Sequence, residues 1–357
     1  MKIKRTKRIF AALASMLIAL TVFLPAAETV SFANVGGVEE LIPGGMAFGV
    51  KFFTEGAIVL GTTGVETVGG LVSPAKDAGL KAGDIVIRAG GKSFNSAEEL
   101  VSLIAGSGGK PISVAYLREG KEATVNLAPV REIESGEYRV GLLVRDSTAG
   151  IGTVTFIDPN TNDFGGLGHG IYDSDTSQLL PLGRGAIVRV NIVDVVKSER
   201  NYPGELKGEF DNASIGELWD NTEQGVFGRF NQSIFNPENA IPVGKKEELS
   251  EGKAHILTTL SGDTVEQYEI EIERIYNNSG TTKNFLVRVT DERLLEKTGG
   301  IVQGMSGSPI IQEGKLVGAI THVLVNDPTR GYGIFIENML TSAFDASANT
   351  PNLPIAA

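Results

Sequence analysis

Short runs of alternating apolar and polar residues, bounded by Gly, Asp, Asn or Pro, fill most of the chain between residues 46 and 345. Alternation with period two is the signature of half-buried strands. It predicts strands at 49–53, 57–60, 112–117 and 123–127. Others follow at 152–157, 186–196, 266–275, 284–289 and 315–323. Helical spacing is scarce. Ser96 and Glu99 form a capping box before Leu100, Leu103 and Ile104, which fall on one helical face. Ser73-Pro74-Ala75 opens a turn or short helix that ends at Gly79. Two more helices are predicted at 215–221 and 337–344, and residues 346–357 read as a frayed tail. The pattern is that of a mainly β protein, a sandwich or a pair of barrels.

The N-terminus breaks the pattern. Lys2, Lys4, Arg5, Lys7 and Arg8 precede an apolar run from Ile9 to Leu24, and Ser31-Phe32-Ala33 supplies small residues for cleavage. Charge followed by an apolar stretch is the order of an export signal, so residues 1–33 are expected to be a cleaved signal peptide or a membrane anchor, with 34–45 as linker. Export would place the body across the cytoplasmic membrane. Removing residues 1–33 takes the formal charge from −11 to about −15. A body this acidic argues against nucleic acid or anionic lipid as the main partner. With no cysteine in 357 residues, disulfides, thiolate metal sites and a cysteine nucleophile are excluded.

Residues 46–130 read as one small αβ module, and 138–345 as a larger β domain. The run Ala78-Gly-Leu-Lys-Ala-Gly-Asp-Ile-Val-Ile-Arg-Ala-Gly-Gly91, with the helix and hairpin after it, resembles a bacterial PDZ domain. Such domains bind an extended peptide as an added strand. The resemblance puts the peptide-binding loop at Gly45, Met46, Ala47 and Phe48.

Chemistry concentrates in two glycine-rich stretches. His169 lies in Phe-Gly-Gly-Leu-Gly-His-Gly, a frame that suits a displayed general base. His255 sits in an ordinary strand pattern, and no histidine spacing fits zinc, so neither metal nor cofactor is expected. Ser306 lies in Gly304-Met305-Ser306-Gly307-Ser308-Pro309. A glycine two residues before the serine allows the N–H groups of Gly304 and Ser306 to converge on an oxyanion. Gly307 admits substrate, and the strand 315–323 would pair with it through Thr321, His322 and Val323. Ser308 is the rival nucleophile and His322 the rival base. This G-x-S-G-x-P pattern resembles trypsin-like serine proteases.

Taken together, the PDZ-like module, the Leu-Gly-His turn and Gly-Gly-Ile-Val-Gln-Gly-Met-Ser-Gly-Ser-Pro-Ile resemble the stage IV sporulation protein B serine peptidases. That resemblance implies a trypsin-like double β-barrel with His169 as base, Ser306 as nucleophile and Asp291 as the acid. In a double barrel the acid normally comes from the end of the first barrel, which makes Asp194 a rival and Asp173 a weaker one. The resemblance further implies a role in endospore formation: release into the space between forespore and mother-cell membranes, self-cleavage, and cleavage of a membrane-bound regulator of an intramembrane protease that matures sigma factor K. Two other readings stand beside it, a non-catalytic exported PDZ scaffold and an HtrA-type quality-control protease.

Overall fold

Six antiparallel strands close on themselves twice, in the same order each time. The computed structural model describes residues 39–276 and 282–349, so the leader expected at 1–33 lies outside the described residues. The first ring consists of β1 (Ala47–Thr62), β2 (Leu142–Ile157), β3 (Asp163–Gly166), β4 (Leu182–Val196), β5 (Glu205–Thr222) and β6 (Gly225–Phe230). It closes because β1 pairs on both edges, Gly49 facing Ile151 of β2 and Val188 of β4. The second ring is β7 (Gly252–Thr259), β8 (Val265–Ile275), β9 (Phe285–Val289), β10 (Pro309–Gln312), β11 (Lys315–Val323) and β12 (Arg330–Phe335). In both, the order around the ring is first, second, third, sixth, fifth, fourth. This is the trypsin-like double barrel, here with a PDZ domain toward its N-terminal side.

Alternation decides what fills each ring. Phe48, Val50, Phe52, Val154, Phe164 and Ile187 point into the first, while Ile256, Tyr268, Ile270, Phe285, Val287 and Ile320 belong to the core around the second. A long C-terminal helix, Ile336–Asn349, buries Met339, Leu340 and Ala343 against Phe156 and Phe227 of the first barrel. It extends the helix expected at 337–344.

The boundary expected between the module and the larger domain is corrected. Both β1 and β2 have 16 residues and serve two domains. Residues 47–53 of β1 pair with 147–153 of β2 inside the barrel, whereas 58–62 pair with 142–145 inside the PDZ domain. The PDZ domain is therefore inserted between the first two strands of barrel one. Its own core gathers Val59, Leu80, Val86, Leu100, Ile104, Val114 and Val140 around helix α1 (Ala97–Ala105). Period-two alternation cannot mark this change, because it records which face is buried and not which sheet the strand joins. Gly45, Met46, Ala47 and Phe48 are consequently not a peptide-binding loop. Ala47 and Phe48 are buried β1 residues opposite Thr153 and Gly152, and the Thr259 hydroxyl bonds the carbonyl of Gly45. Residues 40–43, expected as linker, form a strand against β2.

The helix expected at 215–221 is also wrong. Ile215 and Leu218 have helical spacing, but the segment runs inside β5, with its ladder shifted between Leu218 and Asp220. A bulge mixes the strand period locally, and tertiary pairing outweighs weak local preference.

Candidate active site

The site lies where the two barrels meet. β3 ends at Gly166, and the chain turns through Leu167 (φ +65°) and Gly168 (φ +67°) to present His169. Asn221, buried on β5, clamps the far side of this turn. Its side chain accepts from the Ile171 N–H at 2.8 Å and donates to the carbonyls of Ile171 and Leu180, both at 2.9 Å. The Gly170 N–H donates to the Glu223 carbonyl.

His169 Nδ1 lies 2.8 Å from the Gly170 carbonyl. A carbonyl only accepts, so in the neutral ring Nδ1 carries the hydrogen and Nε2 keeps the lone pair. Burial lowers the pKa of His169 below its ordinary 6.5, and the Gly170 bond opposes that shift. The expected displayed histidine is thus half-buried.

Ser306 lies in a loop whose peptide planes are almost all fixed. The Gln303 carbonyl accepts from Leu206 N–H, and the Gly304 carbonyl accepts from the Thr153 hydroxyl at 2.8 Å. Met305 donates to Val302, and its own carbonyl accepts both the N–H and the hydroxyl of Ser308. The Ser306 carbonyl accepts from Thr153 N–H at 3.0 Å, and Gly307 donates to Ile320 while accepting from the Thr155 hydroxyl. From Gln303 to Ser308, only the N–H groups of Gly304 and Ser306 find no protein acceptor among the described residues. In a trans peptide C=O and N–H point opposite ways. With the carbonyls of residues 303 and 305 tied back, both amides are turned outward, as an oxyanion hole requires.

The loop meets the histidine turn in direct backbone contact. A Cβ on Gly307 would stand 2.0 Å from the Thr153 carbonyl oxygen and 2.5 Å from Leu167 N. The Ser306 hydroxyl donates to the Thr321 carbonyl at 2.9 Å, and a Cβ on Gly168 would stand 2.9 Å from the Thr321 methyl. Serine loop, histidine turn and Thr321 therefore share one small volume. His322 follows, its ring centroid 5.1 Å from that of His169. Its Nδ1 is buried without a partner among the described residues, and its pKa falls to about 4 through burial, then repulsion from His169 and Lys283. Strand β11 pairs with β10 only through Ala319 and with β12 through Val323, so Thr321–Val323 keep one edge without a strand partner among the described residues.

Other expected residues lie elsewhere. Ser308 is fully buried, its hydroxyl given to the Met305 carbonyl, which removes it as a nucleophile. Asp194 is exposed on β4 opposite Lys207. Asp173 is buried beneath Arg145 at 3.0 Å and accepts from Thr176. Asp291 caps helix α2 (Glu292–Thr298): its carboxylate accepts from the N–H groups of Arg293 and Glu269 and pairs with the Arg293 guanidinium at 2.8 Å. The hydrogen bonds from Arg293 hold its pKa down to about 2. The structure does not bring Asp291, Asp194 or Asp173 to a hydrogen bond with His169.

A cap and a triad acid respond differently to substitution. Asp291→Asn keeps a good capping side chain, so activity should stay within about threefold of wild type, whereas Asp291→Ala should cost about 1 kcal/mol of stability. Because the folded pKa lies below the unfolded value, the stabilisation is present above the unfolded pKa and fades as pH falls toward 2. Melting curves in acid, compared for wild type and Asp291→Asn, read this directly. A loss of activity of several orders in Asp291→Asn would instead return the residue to the triad.

The sequence reading missed Thr153, Thr155 and Asn221. A signal existed for the first two: two threonines at i and i+2 on one face of an apolar strand are out of place unless bonded.

Residues 136–340 match the family described as SpoIVB peptidase S55, and 65–128 match the PDZ domain. A Lactococcus lactis protein named as a zinc metalloprotease is 34% identical over 111 residues, which cover 31% of this chain and only 25% of that one. The chain thus spans about a quarter of that relative's length. The active form of the Mycobacterium tuberculosis protease Rv3671c is 13% identical over 58% of this chain and 77% of that one, with a TM-score of 0.33. The HtrA-type protease AlgW, solved with a decapeptide, is 10% identical over 57% and 55%, with a TM-score of 0.34. Since the peptidase match covers more than half of the residues, the chain belongs to the SpoIVB peptidase S55 family and is a PDZ-containing serine peptidase.

Proposed function

We propose that this protein is an exported serine endopeptidase of endospore formation that cleaves itself and a membrane-bound regulatory protein, and so triggers maturation of sigma factor K. The observation that carries the hydrolytic part is the pair of unclaimed amides at Gly304 and Ser306, set around a serine hydroxyl beside the His169 turn. The signalling part is supported by family membership and by the export-like order of residues 1–33.

In this reading the Ser306 hydroxyl leaves the Thr321 carbonyl and attacks a peptide carbonyl carbon. His169 Nε2 takes its proton, and the amides of Gly304 and Ser306 hold the oxyanion. The imidazolium then protonates the departing amine, and water repeats the sequence to release the acyl group. The Gly170 carbonyl, not a carboxylate, fixes the imidazole tautomer. Substrate backbone pairs with the open edge of Thr321, His322 and Val323. A docked peptide on the PDZ domain would add to residues 142–145, whose second edge has no strand partner among the described residues and runs beside α1, with Val101 exposed.

A base with a lowered pKa makes a pH prediction. Protonated His169 cannot accept the serine proton, so kcat/KM should rise with pH and level off with a midpoint below 6.5. A fluorogenic peptide assay across pH 4–8 reads that midpoint, and a value above 7 contradicts the assignment.

The deciding experiment compares the full chain with Ser306→Ala for self-cleavage and for labelling by a fluorophosphonate. Equal behaviour of the two ends the peptidase mechanism and favours a scaffold. Normal sigma factor K maturation in cells carrying only Ser306→Ala would remove the signalling role.

A further inference from the structure

We propose that the hydroxyls of Thr153 and Thr155 are positioning groups for hydrolysis, pegs on barrel one that set the serine loop of barrel two; this rests on the serine-peptidase reading above. Both residues are fully buried on β2 and alternate with Val154 and Phe156. Each spends its hydroxyl on a glycine carbonyl flanking Ser306, Thr153 on Gly304 and Thr155 on Gly307, both at 2.8 Å.

The choice of carbonyls matters. The peptide joining Gly304 to Met305 lies between the two peptides that carry the outward amides. If it turned, it would swing both of them. Gly304 sits at φ +100° and lacks the steric restraint that would stop such a turn. Thr153 supplies the restraint from outside, and its β-branched side chain has restricted χ1 freedom of its own. The main chain of the same residue reaches both halves of the site: its N–H donates to the Ser306 carbonyl, and its carbonyl accepts from Leu167 N–H at 3.2 Å, two residues before His169. One residue thus ties nucleophile loop and base turn to a single strand.

The test is the full chain carrying Thr153→Val, which keeps the shape and deletes the donor. We expect kcat to fall about 10–100-fold with KM within about threefold, since the loss concerns groups that bind the oxyanion and not the substrate. Affinity for a peptide boronate should fall by a similar factor, and Thr153→Ser should restore most of kcat. A Thr153→Val enzyme with kcat within threefold of wild type overturns the proposal, as does a loss carried by KM. If Thr153→Val does not fold, Thr155→Val is measured in its place, and the same threefold criterion applies. Failure of the wild type to label with a fluorophosphonate would count against the peptidase reading itself, independently of either variant.

Discussion

His169→Ala and Ser306→Ala should each lower kcat/KM by about 10⁴–10⁶-fold, and the double variant should lose little more than either alone. The reason is that the two groups act as a unit. Without His169 the serine proton has no acceptor of suitable basicity, because the neighbouring His322, with a pKa of about 4, is a poor base. Without Ser306 there is no nucleophile to deprotonate, since Ser308 is sealed beneath the Met305 carbonyl. What survives is the oxyanion pair and whatever substrate binding contributes, so a residual rate above the uncatalysed reaction is expected. The measurement is single-turnover cleavage of a fluorogenic peptide by wild type, both single variants and the double variant. Additive losses would mean that the two residues act independently and that the assigned proton transfer is wrong.

Gly307→Ala is expected to cost about 2–5 kcal/mol of stability and to abolish measurable activity. The position has φ +94°, and the added methyl would meet the carbonyl oxygen of Thr153 at 2.0 Å and Leu167 N at 2.5 Å. Both obstacles are backbone, so no rotamer change relieves them. The loop must back away from barrel one, which breaks the Thr153 to Ser306 bond and separates serine from histidine. Gly314→Ala is the control: its φ is also positive, at +76°, but a Cβ there meets nothing within 4 Å. It should show only the conformational cost of about 1–2 kcal/mol and keep full activity. Denaturant unfolding of the two variants compares them directly, and equal stability would refute the close-approach explanation.

Much of the local structure was readable beforehand. The strand at 315–323 and the C-terminal helix have strong patterns, and the helix after Ser96 starts where its cap indicated, with the Ser96 hydroxyl accepting from Glu99 N–H at 3.2 Å. The nucleophile loop and the glycine-framed histidine were readable for the same reason. Tight turns demand glycine at fixed offsets, and that demand is written locally. Asp291 shows the opposite case. The family resemblance implied an acid there, yet a carboxylate followed two residues later by arginine and opening a helix satisfies a helix terminus first.

By itself, then, the sequence determined the strand-rich character, the PDZ-like module, and the serine and histidine on their glycine turns, because each depends on neighbours in the chain. Only the tertiary structure decided that β1 and β2 run through two domains, that residues 45–48 lie beside the barrel core, and that Thr153 joins the serine loop to the histidine turn. Those facts depend on which strands pair across 80 residues or more, and on carbonyls tied by side chains from another barrel. Alternation records burial and not partnership, so nothing local encodes them.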